Sequence, residues 1–172
     1  PASANVPGSG TASIASVPAP ESVRTMLAFF NDTSDAGDAV SAIVDAGLVP
    51  GAIEMMDSLS IEAAEQATGA GYRLDAGAAL LVELDGPREQ CLAGLEQLTS
   101  LCVQAGSLDL RLAQSDEERD LIWRTRKAAF AAMGRIAPAY YVQDGVIPRT
   151  RLVEVLGEID RLAAEYDLRV AN

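Results

Sequence analysis

The sequence contains no histidine. That absence removes from this segment every Ser/His/Asp or Cys/His nucleophile scheme, every imidazole base and every His-ligated zinc site. Lysine occurs once, as Lys127, and the 13 basic residues face 25 acidic ones, a formal net charge of -12. A field of that sign repels nucleic acid and anionic lipid, so neither is expected as a partner. Aromatic residues are only 5% of the chain, so its core must be aliphatic. No run of about 18 apolar residues exists to span a membrane. The two cysteines, Cys91 and Cys102, are eleven apart in one predicted helix, roughly 16 Å along its axis and beyond disulfide reach. They read as buried thiols that say little about compartment beyond compatibility with a reducing cytosol, and the expected location is cytoplasmic, with membrane association through other subunits as the alternative.

What is present suits one domain: 172 residues, 49% hydrophobic and 22% charged. Residues 1–20 are small and polar and lack the layout of a secretion signal. They read as a linker or appended tail, with Pro1 to Val17 its clearest part and the domain running over 21–172.

From there, strands and helices alternate. Thr25 to Phe30 is a short apolar run, read as a buried strand. Asn31 to Ser34 starts a helix carrying Ala39, Ile43 and Val44 and closed by Gly47. Ala52 to Met56 is a second strand, and Ser58 or Ser60 caps a helix that ends near Gly69. Ala78 to Leu84 is a third strand, with Glu83 expected at an edge or facing out. Gly86-Pro87 leads into a helix whose stripe is Leu92, Leu95, Leu98 and Cys102, and Leu108 to Leu112 alternates as a half-exposed strand. This order predicts an α+β fold, a ferredoxin-like sandwich with an antiparallel sheet, helices on one face and additional C-terminal helices. Ser115 and Glu118 form a capping box for a long helix to about Gly134. Tyr140 to Val142 with Val146-Ile147 suggests another strand. Pro148 opens a helix carrying Leu152, Leu156, Ile159 and Leu162, and Leu168 to Asn172 reads as a strand cut short.

No phosphate-cradling glycine loop is written, and Gly8-Ser9-Gly10 completes no dinucleotide pattern. Asp116, Glu117 and Glu118 suit the positive end of a helix. Trp123-Arg124-Thr125-Arg126-Lys127 gathers three cations in a chain short of them. Arg126 shares a helical face with Ile122, Ala129 and Met133, and an arginine on such a stripe needs a partner. Two readings stay open: an internal carboxylate or a snorkelling side chain, or a guanidinium fork for a ligand carboxylate. In Glu54-Met55-Met56-Asp57 the methionines point to opposite faces, so at least one is core, and Asp57 helps the turn into the next helix.

Gly51 to Ser60, with Val82 to Gly86, Arg111 to Gln114, Trp123 to Phe130, Gly134 to Ile136, Asp144 to Arg149 and Tyr166 to Asn172, resemble the C-terminal (cap) domain of FAD-linked 2-hydroxy-acid oxidases and dehydrogenases. Within that family the FAD subunits of bacterial glycolate oxidases look nearest, and D-lactate and D-2-hydroxyglutarate dehydrogenases more distant. The resemblance runs from about residue 20 to the last residue. It implies a piece of a flavoenzyme that oxidises glycolate or D-lactate to the 2-oxo acid, passing electrons to FAD and on to an iron–sulfur partner subunit. It also implies that an FAD-binding domain precedes this segment and that a His-Ala-Gly-Asp-Gly-Asn-type motif follows it, with a divalent metal site and the catalytic base. The lack of histidine then reads as truncation, and the isolated piece is expected to be inactive, with no catalytic or metal-binding residue of its own. Arg126 matches the family arginine that binds the substrate carboxylate. Phe130 and Val142 stand where the 2-hydroxyglutarate enzymes carry polar groups, which favours a small monocarboxylate. A stand-alone ferredoxin-like module for small-molecule binding or subunit docking is the alternative.

Overall fold

The computed structural model describes residues 19–172, so nearly all of the expected linker or tail lies outside the described residues. The elements are β1 (Ser22–Phe30), α1 (Thr33–Asp45), β2 (Ala52–Asp57), α2 (Ser58–Thr68), β3 (Ala78–Gly86), α3 (Arg88–Gln104), β4 (Asp109–Leu112), α4 (Asp116–Ile136) and α5 (Leu152–Glu165), the last preceded by a 3-10 turn at Arg149–Arg151. The sheet order is β2-β3-β1-β4 and every pairing is antiparallel. This is the expected ferredoxin-like sandwich.

Polar side chains set the helix starts. Asp32 accepts from the Asp35 amide at α1, and Ser115 from the Glu118 amide at α4. At α2 the cap is Asp57, accepting from the Ser60 amide at 2.8 Å, rather than either expected serine. The reason is register: β2 runs one residue further than its apolar run and leaves Asp57 extended at the corner. Gly69 ends α2 at φ 64°, a left-handed conformation that glycine adopts without a Cβ penalty.

Strand alternation splits the core in two. Met26, Ala28 and Phe30 of β1 and Leu80, Val82 and Leu84 of β3 face α1 and α3. Leu27 and Phe29 with Ala79 and Leu81 face the other way, onto Ile61 and Ala64 of α2 and Ile122 and Ala129 of α4. Helices on one face therefore describes α1 and α3 alone. The two central strands are apolar on both sides, so the second face also needs a cover. The helix inserted between β2 and β3, together with α4, provides it. α5 lies on α1 where Gly37 has no side chain, since a Cβ there would fall 2.6 Å from Val153 Cγ2.

Three further expectations change. On α3 the buried positions are Cys91, Gly94, Leu98 and Cys102, while Leu92 is exposed. Gly94 brings Leu84 and Leu48 close to the helix backbone, and the first half of the stripe shifts by one residue while Leu98 and Cys102 keep their expected places. Residues 138–148 form no strand, and Tyr141 and Val146 are exposed. β-forming composition needs a neighbouring edge to satisfy the backbone, and this segment pairs with none among the described residues. The final residues are not a strand either, but the Asn172 carbonyl accepts from the Asp57 amide at 3.0 Å. Both thiols are buried as expected, and burial pushes Cys102 up to about 11.

Candidate functional site

α4 crosses the second face of the sheet and is tied to it by three ion pairs. At the β4 edge, Arg111 Nε donates to Glu118 Oε1 at 2.7 Å. Over the centre, Arg119 pairs with Glu83 at 2.8 Å. At the β2 edge, Arg126 Nε lies 2.7 Å from Glu54 Oε2. Register explains the spacing: Glu54, Leu81, Leu27 and Arg111 form one row across all four strands.

Glu83 is neither at an edge nor facing out. It stands on a central strand under α4, because its odd parity directs it to the face that this helix covers. Thr25 is its cross-strand partner and donates at 2.7 Å, and Trp123 Nε1 donates at 2.7 Å. Burial works against its charge, but the bonds from Arg119, Thr25 and Trp123 outweigh that and hold its pKa below the usual glutamate value.

The cationic run separates into different tasks. Trp123 serves Glu83, and Lys127 Nζ sits 5.9 Å above the Trp123 ring. Arg124 turns back to the Asp120 carbonyl on the exposed side. Thr125 is fully buried, 2.9 Å from Thr68 Oγ1 on α2. Arg126 alone of the three cations points toward the sheet, on the apolar face expected, with Ile122 and Ala129 buried beside it.

Its partner is the internal carboxylate of Glu54, on the strand whose Met56 is core and whose Met55 is half-buried. The contact is one of charge rather than a hydrogen bond, since the buried Nε makes no aligned bond to Glu54 or to any other described group. Arg126 and Glu54 each keep about a third of their side-chain surface exposed, 33% and 36%. A guanidinium so placed is partly dry, weakly satisfied and reachable from solvent, the condition under which a carboxylate ligand binds well.

Phe130 lies one turn beyond Arg126, exposed, with its ring edge-to-face against Tyr140 at 5.9 Å. Val142 is exposed as well. Tyr72, which the sequence reading passed over, is buried edge-on against Phe29 and donates to the Ile122 carbonyl at 3.1 Å. Burial raises its pKa beyond any proton-transfer role near neutrality. Asp57 binds the main chain of Asn172, whose amide donates to Oδ2 at 2.6 Å and whose carbonyl also accepts from Ser60 Oγ.

Among the described residues no three Cys, Asp or Glu side chains converge to hold a metal ion. A surface concavity at the start of α2 is lined by Ser58, Leu59, Glu62, Gln66 and Leu74. Another, beside Trp123, sets Arg124 and Lys127 against Glu117 and Asp120. No helix of the described residues is long and apolar enough to cross a membrane.

Residues 19–172 match the family described as FAD linked oxidases, C-terminal domain. Glycolate oxidase subunit GlcD of Escherichia coli (strain K12) is 49% identical over 156 residues, covering 91% of this chain and 31% of that protein. The subunit of the same name from Bacillus subtilis (strain 168) is 29% identical, covering 91% and 33%. D-lactate dehydrogenase of Anaerostipes hadrus is 27% identical, covering 91% and 34%. The chain thus spans about a third of the length of these relatives. Among solved structures, an alkyldihydroxyacetonephosphate synthase shares the fold at a TM-score of 0.60 and 10% identity, covering 86% of this chain and 32% of that one. The chain belongs to the family of FAD-linked oxidase C-terminal domains.

Proposed function

We propose that this chain is the substrate (cap) domain of a flavoenzyme that oxidises a small 2-hydroxy acid, glycolate or D-lactate, to the 2-oxo acid. The observation that carries the reading is Arg126, a half-buried guanidinium held by charge alone beside Glu54. Family membership and the names of the relatives support the same reaction class. On this reading FAD is held by the rest of a longer protein and supplies the hydride acceptor. This chain's part is to bind and orient: the Arg126 fork takes the carboxylate through two N–H groups, which fixes the carbon bearing the hydroxyl relative to the rest of the site. α4 keeps that fork in place through its ties to Glu83 of β3 and Arg111 of β4. A partner subunit fits the relatives described as subunits, and an iron–sulfur protein is the electron acceptor we infer.

The test is steady-state kinetics of the whole enzyme carrying this segment. Arg126→Met raises the KM for glycolate about 100-fold, and Arg126→Lys, which keeps the charge without the fork, falls between it and the parent. Unchanged KM and kcat/KM in Arg126→Met removes the residue from the site.

A further inference from the structure

We infer that residues 138–148, with Phe130 of α4, form the face on which the flavin-bearing part of the longer protein seats. The inference rests on the proposed function, in which FAD is held outside this chain and must meet a carbon fixed at Arg126. Every residue from Pro138 to Arg151 is exposed, and Tyr141 and Val146 stand 85% and 101% accessible. Tyr140, Val142 and Ile147 are exposed with them, and Tyr140 lies edge-to-face on the exposed Phe130. Apolar side chains scattered singly over a surface are ordinary, but a contiguous group of this size marks a contact surface. The main chain agrees. Residues 139–147 make no main-chain hydrogen bond to another described main-chain group, so their amides and carbonyls also lack partners.

Place and charge identify the occupant. Phe130 is one turn, about 6 Å, beyond Arg126 on α4, so whatever covers it also closes over the open side of the anchor. The part of the protein that must come there is the one that holds FAD. This chain spans about a third of the length of its relatives, which leaves ample chain to supply that part. The cations give the counterpart its sign. Arg124, Lys127, Arg135, Arg149 and Arg169 have no carboxylate at ion-pair distance among the described residues. Lys127 rests over Trp123, and Arg135 and Arg169 donate only to main-chain carbonyls. All five lie on α4 or after it, and Arg135 and Arg149 flank the apolar segment on either side. In a chain of net charge -12, unpaired positive charge gathered here selects a surface with carboxylates around an apolar centre.

The experiment is hydroxyl-radical footprinting of the flavin-loaded full-length polypeptide, first without and then with its partner subunits. Tyr141 is expected to be oxidised about tenfold more slowly than a tyrosine in a short peptide, before any other subunit is added, as in the dry centre of an interface. Val146→Asp, at a position fully exposed within this domain, buries an unpaired charge in that centre and brings the Tyr141 rate back to within about twofold of the peptide. Lys127→Glu combined with Arg149→Glu also speeds the oxidation, and raised ionic strength does the same in the parent. Peptide-like oxidation of Tyr141 in the full-length polypeptide overturns the inference. So does protection that arises only when a partner subunit is added, which would assign the face to that subunit. Kinetics of Arg126→Met keep the two levels apart. A raised KM for glycolate with an unprotected Tyr141 leaves the anchor standing and removes the docking face. An unchanged KM with a protected Tyr141 removes the anchor and keeps the docking face.

Discussion

The indole Nε1 of Trp123 and the carboxylate of Glu83 meet at 2.7 Å across forty residues of sequence, joining α4 to the centre of the sheet. Arg119 and Thr25 donate to the same carboxylate. Its side chain is 15% exposed, so removing it strands several donors in a nearly dry place. Such groups cost about 1–3 kcal/mol each when unsatisfied, less where water can reach them.

Glu83→Ala is accordingly expected to destabilise the chain by about 3 kcal/mol, read by urea unfolding. The sign with pH follows from the depressed pKa of Glu83. Its contribution is complete above the ordinary glutamate value and is lost as pH falls through the lower, folded value. Trp123 is the only tryptophan and touches the group concerned, so its fluorescence reports the transition. Glu83→Gln should remove this part of the acid sensitivity. A variant with the same acid limb as the parent would show that the stabilising carboxylate is another.

Glycine gives a paired prediction with opposite signs. A Cβ on Gly77 would be driven into the Asn31 carbonyl, main chain that cannot step aside, while the Gly77 amide is bound to Phe30 at 2.9 Å. Gly77→Ala should cost about 3 kcal/mol or more. Gly134 lies within α4 with open space around its Cβ position. Gly134→Ala should stabilise by about 0.5–1 kcal/mol by lowering the backbone entropy lost on folding. Thermal melting of both variants checks the pair, and equal shifts in one direction would contradict the packing described.

Much of this architecture was legible because its signals are local. Apolar runs marked β1 and β3, capping residues marked α1 and α4, and period-3.6 spacing put Arg126 on a buried stripe. What was not legible is long-range. Nothing near Glu54 announces Arg126, 72 residues away, and only the register of β2 with β3 puts that edge beneath α4. Glu83 read as an edge or outward-facing residue for the same reason, since its cover arrives from α4. Tyr140 to Ile147 has strand composition, but composition cannot supply the neighbouring edge that a ladder needs. Leu92 lost its place on the α3 stripe to Cys91 because Gly94 admits Leu84 and Leu48, a packing effect that hydrophobicity alone does not encode.

Asp57 titrates in the opposite sense to Glu83. Burial raises its pKa, and the bonds it accepts from Ser60 and Asn172 only partly offset that. A raised folded-state pKa means a contribution that is complete below the unfolded value and is lost as pH rises through the folded one. Asp57→Asn abolishes the titration but keeps an acceptor for the Ser60 amide, so α2 stays capped. The stability difference between parent and Asp57→Asn should therefore move in favour of the parent as pH is lowered through the range just above 3.8, the ordinary aspartate value. Asp57→Ala loses the cap as well and should cost a further ~1 kcal/mol at any pH. Amide exchange at Ser60 and Asn172 gives the local reading: both speed up in Asp57→Ala, and only Asn172 does so in Asp57→Asn, whose side-chain amide nitrogen cannot accept the bond that Oδ2 receives. A parent whose advantage over Asp57→Asn instead grows with rising pH would reverse the sign assigned to this carboxylate.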